Sequence, residues 1–259
     1  MEQNLKLAFL VTLFAGLSTG IGSLFVYFLK EFKVKYLVFS LGLSAGVMVY
    51  VSYMELLPVA VKDIGQGGAV LFFFIGILVM GAIDFLIPEY ENPHEMSLES
   101  KSPVSVKSSS LYRMGAFSAL AIAIHNFPEG LAVFASTLTG AKLGLAIAIA
   151  VAVHNIPEGI AVSMPIYYAT GSKKKAFWYS LLSGLSEPVG AIVGFFILKA
   201  FLGSSLVGVL MAFVAGVMVY ISIDEILPHA HRYRGYSHVA MVGFVIGNML
   251  MALTLLFMA

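Results

Sequence analysis

Long apolar stretches, separated by short polar or Pro/Gly-rich breaks, make up most of this chain. A helix needs about 20 apolar residues to cross a hydrocarbon core of roughly 30 Å, so each stretch predicts a membrane-spanning helix. The predicted helices lie near residues 5–29, 36–60, 67–88, 112–139, 142–169, 174–200, 204–230 and 236–258. The pattern therefore predicts an all-α polytopic membrane protein with eight transmembrane helices.

The long polar insert of the chain covers about residues 89–111, where Ser and Glu are frequent and two prolines occur. Such a composition predicts a loop, which separates three helices from five. Apart from this cytoplasmic loop, we expect residues 1–259 to form a single transmembrane domain.

Lysine and arginine residues are divided unevenly between the two ends of the predicted helices. Of the 15, all lie at one end except Lys6, Lys62, Lys142 and Lys199. Because short cytoplasmic loops collect positive charge, the richer end faces the cytoplasm and both chain termini lie outside it. We therefore expect a multi-pass protein of the plasma membrane, which is the inner membrane if the chain is bacterial.

Composition agrees with a lipid environment and narrows the chemistry. Of the 259 residues, 59% are hydrophobic and 11% are charged, which is too little polar surface for a soluble globule. A net charge of +1 argues against a nucleic-acid partner. Since the chain has no cysteine, a bound metal must use mainly nitrogen and oxygen donors. We expect a lipid bilayer as the surroundings and no prosthetic group.

Two internal repeats organise the chain. Residues 121–134, AIAIHNFPEGLAVF, match residues 150–163, AVAVHNIPEGIAVS, at nine of fourteen positions. Residues 44–60, SAGVMVYVSYMELLPVA, match residues 214–230, VAGVMVYISIDEILPHA, at eleven of seventeen positions. The first repeat relates the fourth and fifth predicted helices, and the second relates the second and seventh.

The second and seventh helices run in opposite directions under the predicted orientation. This predicts an inverted repeat of helices 1–3 and 6–8 around two central helices, a 3+2+3 arrangement typical of carriers that alternate access about a midplane site. Duplication can also leave symmetry without function. We expect Ser52 and Glu55 in an outer vestibule, and Ser222 and Glu225 in an inner one.

The central repeat carries the candidate chemistry. His125 and Glu129 are four residues apart, which places them on one helical face where they can chelate one ion. Asn126 projects about 100° away and can reach a neighbouring ion. In the second copy, His154, Asn155 and Glu158 repeat the arrangement.

A third carboxylate, Glu187, falls at the same predicted depth as Glu129 and Glu158. A lone intramembrane His or Glu is often only a structural polar group, which is the alternative for each residue taken singly. Three carboxylates, however, cannot all stay ionised in lipid unless cations or protons neutralise them. His, carboxylate and amide donors suit zinc, ferrous iron, manganese and cobalt, and they do not rank these ions.

The doubled HNxPEG, the Glu-Pro of the sixth helix and the eight-helix count resemble the ZIP (Zrt-, Irt-like) family of metal transporters, most of all its ZupT-type prokaryotic branch. The resemblance implies uptake of zinc, and also of ferrous iron, manganese or cobalt, into the cytoplasm through a binuclear site bridged by Glu129 and Glu158. One metal position would add Met48, His125 and His154, and the other Asn126, Asn155 and Glu187.

The same resemblance implies that Glu55, Asp224 and Glu225 line the entrance and exit of the metal, and it suggests a homodimer. Many relatives have a His-rich loop after helix three, where this chain has only His94. His229, at the cytoplasmic end of helix seven, is a candidate substitute or an interfacial residue. The two remaining alternatives are a membrane metalloenzyme, for which no HExxH motif is present, and a passive pore.

Overall fold

The computed structural model describes residues 2–28, 34–86, 108–200, 204–233 and 235–258. Most of the predicted loop, residues 89–107, lies outside these ranges, whereas residues 108–111 already belong to a helix. The described chain forms helices α1 (Glu2–Phe28), α2 (Val34–Val51), α3 (Leu57–Leu86), α4 (Ser108–Thr139), α5 (Ala141–Thr170), α6 (Lys173–Gly184), α7 (Ser186–Ala200), α8 (Ser204–Tyr220), α9 (Leu227–His231) and α10 (Ser237–Met258).

Within the described ranges, six segments are long and apolar enough to cross a membrane, and no strand is present. The prediction of an all-α, multi-pass membrane protein is therefore confirmed. The count of eight crossings and the 3+2+3 arrangement stay predictions.

Two breaks in the helices have local causes. Helix α3 is interrupted at Gly65, whose φ of 74° is in the left-handed region that favours glycine, close to the break predicted after residue 60. The predicted sixth helix is divided at Leu185 into α6 and α7. Pro188 follows this division, and it lacks the N–H that would bond the Gly184 carbonyl in a continuous helix.

Two π-helical segments follow α2 and α8 at equivalent places in the repeat, Ser52–Leu56 and Ile221–Ile226. The Leu57 N–H donates to the Ser52 carbonyl, five residues back, and the Leu227 N–H donates to the Ser222 carbonyl in the same way. A proline stands directly after each of these leucines. Wider turns of this kind are frequent at functional sites.

Helix α2 packs against α10, and α3 packs against α8, through matching glycines. A Cβ at Gly46 would lie 2.1 Å from the Phe244 carbonyl oxygen, and one at its repeat equivalent Gly216 would lie 2.0 Å from that of Phe73. Contacts this short leave room only for hydrogen, so the helix backbones touch. The two halves of the chain thus pack in the same way, with a glycine against a backbone carbonyl of the neighbouring helix.

Glycines of the central repeat place α4 and α5 in the same way. A Cβ at Gly130 in α4 would lie 2.1 Å from the Glu187 carbonyl oxygen in α7, and one at Gly159 in α5 would lie 2.0 Å from the Thr19 carbonyl oxygen in α1. The glycine of each HNxPEG motif therefore fixes its helix against a neighbour. This packing brings the polar residues of α4, α5 and α7 together.

Candidate metal centre

The sequence-predicted ligands with described side chains are all in the interior. Their exposed fraction is 2% or less, and they are Met48, Asn126, Glu129, His154, Asn155, Glu158 and Glu187. His125 lies in α4, but its side chain is outside the described part of the chain. Helices α2, α4, α5 and α7 each contribute to this group.

Prolines shape the two central helices beside the ligands. Pro128 and Pro157 lie inside α4 and α5, one residue before Glu129 and Glu158. Neither proline has an N–H to donate to the carbonyl four residues earlier. The backbone oxygen of Ile124 and that of Val153 therefore lose their usual helical donor next to the polar group.

A first contact joins the two central helices. His154 Nε2 in α5 lies 3.2 Å from both carboxylate oxygens of Glu129 in α4. The imidazole nitrogen is therefore equally close to the two oxygens, and all three atoms lie in the same small region. Because these residues come from different copies of the repeat, the contact links the two motifs.

A second contact joins α1, α5 and α7. Asn155 Nδ2 donates to Glu187 Oε1 and also to the backbone carbonyl oxygen of Ala15, which is 2.9 Å away. Both amide hydrogens are then in use, so the Asn155 Oδ1 is left to face the interior. The Ala15 carbonyl was not predicted from the sequence, because no residue type signals a contact made by a backbone atom.

A third contact joins α2 to α5. The Ser44 hydroxyl donates to Glu158 Oε1 over 3.2 Å and lies 3.8 Å from the Met48 Sδ. Sequence reasoning missed Ser44. The available signal was the repeat itself, in which position 44 is Ser and the equivalent position 214 is Val.

Several buried polar atoms have no hydrogen-bond partner among the described residues. Among the candidate ligands they include both polar atoms of the Asn126 amide, Asn155 Oδ1 and Glu187 Oε2. Leaving such an atom unpaired costs about 1–3 kcal/mol. A bound cation would supply the oxygens with a partner, and the three carboxylates nearby would supply the charge that attracts it.

The described side chains do not form a metal site made of three or more His, Asp or Glu ligands. Among them, no three His, Asp or Glu side chains converge closely enough to hold one ion. The donors that do meet are His154 with Glu129, Asn155 with Glu187, and Ser44 and Met48 with Glu158. A site here would thus combine carboxylates with imidazole, amide, hydroxyl or thioether groups.

The predicted pathway residues are placed differently from one another. Ser52 and Ser222 are both fully buried, and each donates to the carbonyl oxygen four residues earlier, over 2.8 and 2.7 Å. Neither serine faces an open vestibule in this structure. Glu225 is buried, Asp224 is exposed, and Glu55 and His229 are half-buried, with the His229 ring 6.0 Å from that of Tyr233.

Comparison with known proteins decides the family. A family model described as ZIP zinc transporter matches residues 87–255, which is more than half of the chain. The chain belongs to the ZIP zinc transporter family. Since ZIP proteins are transporters, the chain is a transmembrane metal transporter, and the interpretation as a membrane metalloenzyme is excluded.

Similar ZIP proteins match over the whole length. The zinc transporter ZupT of Chlorobium chlorochromatii is 53% identical, with 99% of both chains covered. That of Oceanobacillus iheyensis is also 53% identical, with 99% of this chain and 100% of the relative covered. That of Streptococcus mutans is 52% identical, with 99% of each covered. The resemblance found from the motifs is thereby confirmed.

Proposed function

We propose that this ZIP protein carries zinc into the cytoplasm and that it also accepts ferrous iron, manganese or cobalt. The observation that carries the proposal is the buried polar group between α4, α5 and α7, in which Asn126, Asn155 and Glu187 have atoms without a hydrogen-bond partner among the described residues. Full-length relatives named as zinc transporters support zinc as the first substrate. These ions are substrates, and no resident prosthetic group is proposed.

We further propose a binuclear site bridged by Glu129 and Glu158. One ion would be held by Met48, His125 and His154, and the other by Asn126, Asn155 and Glu187. The separate pairings of Glu129 with His154 and of Glu187 with Asn155 support two neighbouring positions. With the two bridging carboxylates, each ion would have five protein ligands, and His nitrogen and carboxylate oxygen are among the donors that bind zinc.

The proposed mechanism is alternating access by eight helices in a 3+2+3 inverted repeat. The matched π segments and the matched glycine contacts support equivalent halves. Burial of the site agrees with a carrier that passes through a closed state. Orientation with both termini outside the cytoplasm, a location in the plasma membrane or bacterial inner membrane, and a homodimer remain parts of the same proposal.

Reconstitution of the purified protein in liposomes tests the function directly. Uptake of radioactive zinc, iron and manganese should exceed that of empty liposomes and should saturate with metal concentration. Internal unlabelled zinc should accelerate uptake, because a carrier exchanges ions across the membrane. No zinc uptake above the empty liposomes would contradict the function, and uptake without saturation or exchange would favour a pore.

A further inference from the structure

Ser44 is a buried hydroxyl in the middle of an otherwise apolar stretch of α2. Its side chain is 1% exposed, and its oxygen donates to Glu158 Oε1 over 3.2 Å. The same oxygen lies 3.8 Å from the Met48 Sδ, one turn further along the helix. A hard oxygen donor and a soft thioether donor therefore stand side by side next to one carboxylate.

The repeat provides an internal comparison for this position. Residues 45–50 and 215–220 are identical, yet position 44 is Ser and position 214 is Val. Val214 is also 1% exposed, and Met48 and Met218 are both at or below 1%. Positions 44 and 214 are equally buried but hold a hydroxyl and an apolar side chain, respectively. Packing alone therefore does not require a hydroxyl at this position. A buried hydroxyl is costly without a polar partner, and in this copy the partner is the Glu158 carboxylate.

The spacing of the two oxygens fits joint coordination of one ion. With metal–oxygen distances of about 2.1 Å, neighbouring ligands are about 3.0 Å apart in an octahedron and about 3.4 Å apart in a tetrahedron. The observed 3.2 Å between Ser44 Oγ and Glu158 Oε1 lies between these values. The hydroxyl and the carboxylate can thus bind the same ion without a rearrangement of α2 against α5.

We propose that Ser44 is a specificity-determining residue, whose hydroxyl supplies a hard neutral donor that favours manganese over zinc at the position beside Met48. Manganese prefers oxygen ligands and accepts six of them, whereas zinc is satisfied by four and tolerates sulfur well. The inference rests on the proposed function, because it concerns the choice among ions at the same site. Ser44 acts on the ion together with Glu158 and not in its place.

The test is competition between manganese and zinc for uptake into liposomes. Ser44→Ala should raise the ratio of zinc to manganese uptake by about threefold or more, which corresponds to roughly 0.7 kcal/mol of discrimination. Ser44→Cys should raise it further, since sulfur replaces oxygen at the same place. Ser44→Thr keeps the hydroxyl and should stay near the parent ratio.

Ser40→Ala is the matched control, because it removes another buried hydroxyl from α2, one turn earlier, where no hydrogen bond to a described site residue is present. Its zinc to manganese ratio should equal that of the parent. Displacement of bound manganese by zinc in detergent gives a second readout without transport. If Ser44→Ala or Ser44→Cys fails to fold, the other still has an expected ratio different from that of Ser44→Thr; if Ser44→Thr fails, the parent protein and Ser40→Ala serve as the unchanged references.

Two results would overturn the inference. Equal losses of zinc and manganese in Ser44→Ala would mean that the hydroxyl only positions Glu158. An unchanged ratio and unchanged rates would mean that the hydroxyl does not reach the ion. Both leave the proposed function intact, whereas a parent protein that moves neither metal overturns the function itself.

Discussion

At the scale of single residues, the main feature of the candidate site is the burial of three glutamate carboxylates. Glu129, Glu158 and Glu187 are 2% exposed or less, and no lysine or arginine among the described residues is buried with them. Ionised carboxylates in such surroundings are strongly destabilised unless a cation is close. In the proposed metal site, burial of these carboxylates is therefore the origin both of the affinity for the ion and of the cost of the empty site.

Glu158→Gln should reduce zinc uptake at least about tenfold, since it removes a bridging charge from both proposed metal positions while preserving the side-chain volume. Glu129→Gln should be similarly severe, and Glu187→Gln milder, because it affects one position. Initial rates in liposomes at matched protein content measure the effect. A Glu158→Gln protein with the parent rate would place the metal pathway elsewhere.

Asn126 and Asn155 make a matched pair for separating stability from binding. Asn155 makes two hydrogen bonds, whereas neither polar atom of Asn126 has a partner among the described residues. Asn155→Leu should lower the melting temperature of the metal-free protein. Asn126→Leu should leave it unchanged or raise it, because an apolar group of similar shape replaces unpaired polar atoms.

Zinc titration completes that comparison. A ligand that binds only the folded state raises the melting temperature, and the rise grows with affinity. The rise should be smaller in Asn126→Leu than in the parent, although the metal-free variant is no less stable. A normal zinc-induced rise in Asn126→Leu would remove Asn126 from the site.

At the scale of helices, the glycines of the two HNxPEG motifs set how closely their helices approach the neighbouring helices. Gly159→Ala should separate α5 from α1, because the new Cβ would lie 2.0 Å from the Thr19 carbonyl oxygen. Overpacking of this kind costs about 1–3 kcal/mol. We expect a lower melting temperature in detergent. Gly67→Ala is the control, since a Cβ there meets nothing within 4 Å among the described residues. Equal melting temperatures for the two variants would contradict the packing described here.

The helices could largely be predicted from hydrophobic pattern, and the breaks only in part. Gly65 interrupts α3 where the apolar pattern already weakens, whereas the division at Leu185 falls inside a segment predicted as one continuous helix, three residues before Pro188. The π segments could not be predicted from the hydrophobic pattern, because one extra residue in a turn changes the backbone hydrogen bonds and hardly changes the hydrophobicity of the segment. The candidate ligands in α4 and α5 could be named because their motif is repeated, and Glu187 in α7 because it falls at the same predicted depth. Ser44 differs from its repeat equivalent and was overlooked.

At the scale of the whole molecule, alternation can be tested at Ser52 and Ser222. Because the chain has no cysteine, Ser52→Cys and Ser222→Cys each introduce a single thiol. Both serines are fully buried in the present state, so neither thiol should react while that state dominates. Compared with a condition that favours the outward-open state, one that favours the inward-open state should raise labelling of Ser222→Cys and lower that of Ser52→Cys, since a ligand or gradient redistributes existing states.

Thiol-specific labelling of the protein in liposomes, with and without zinc, gives this measurement. A carrier requires the two signals to move in opposite directions. Parallel changes would argue against alternating access, and two thiols that never react would assign the repeat a structural role. Neither of those results would bear on the ligands in α4, α5 and α7.

The paired π segments also carry information about ancestry. Each holds one residue more than the α-helical turn it replaces, and both stand directly before the Leu-Pro step of the repeat. Two independent insertions of a residue before the two Leu-Pro steps require more events than a single insertion. One extra residue in a segment that was then duplicated accounts for both distortions with a single insertion.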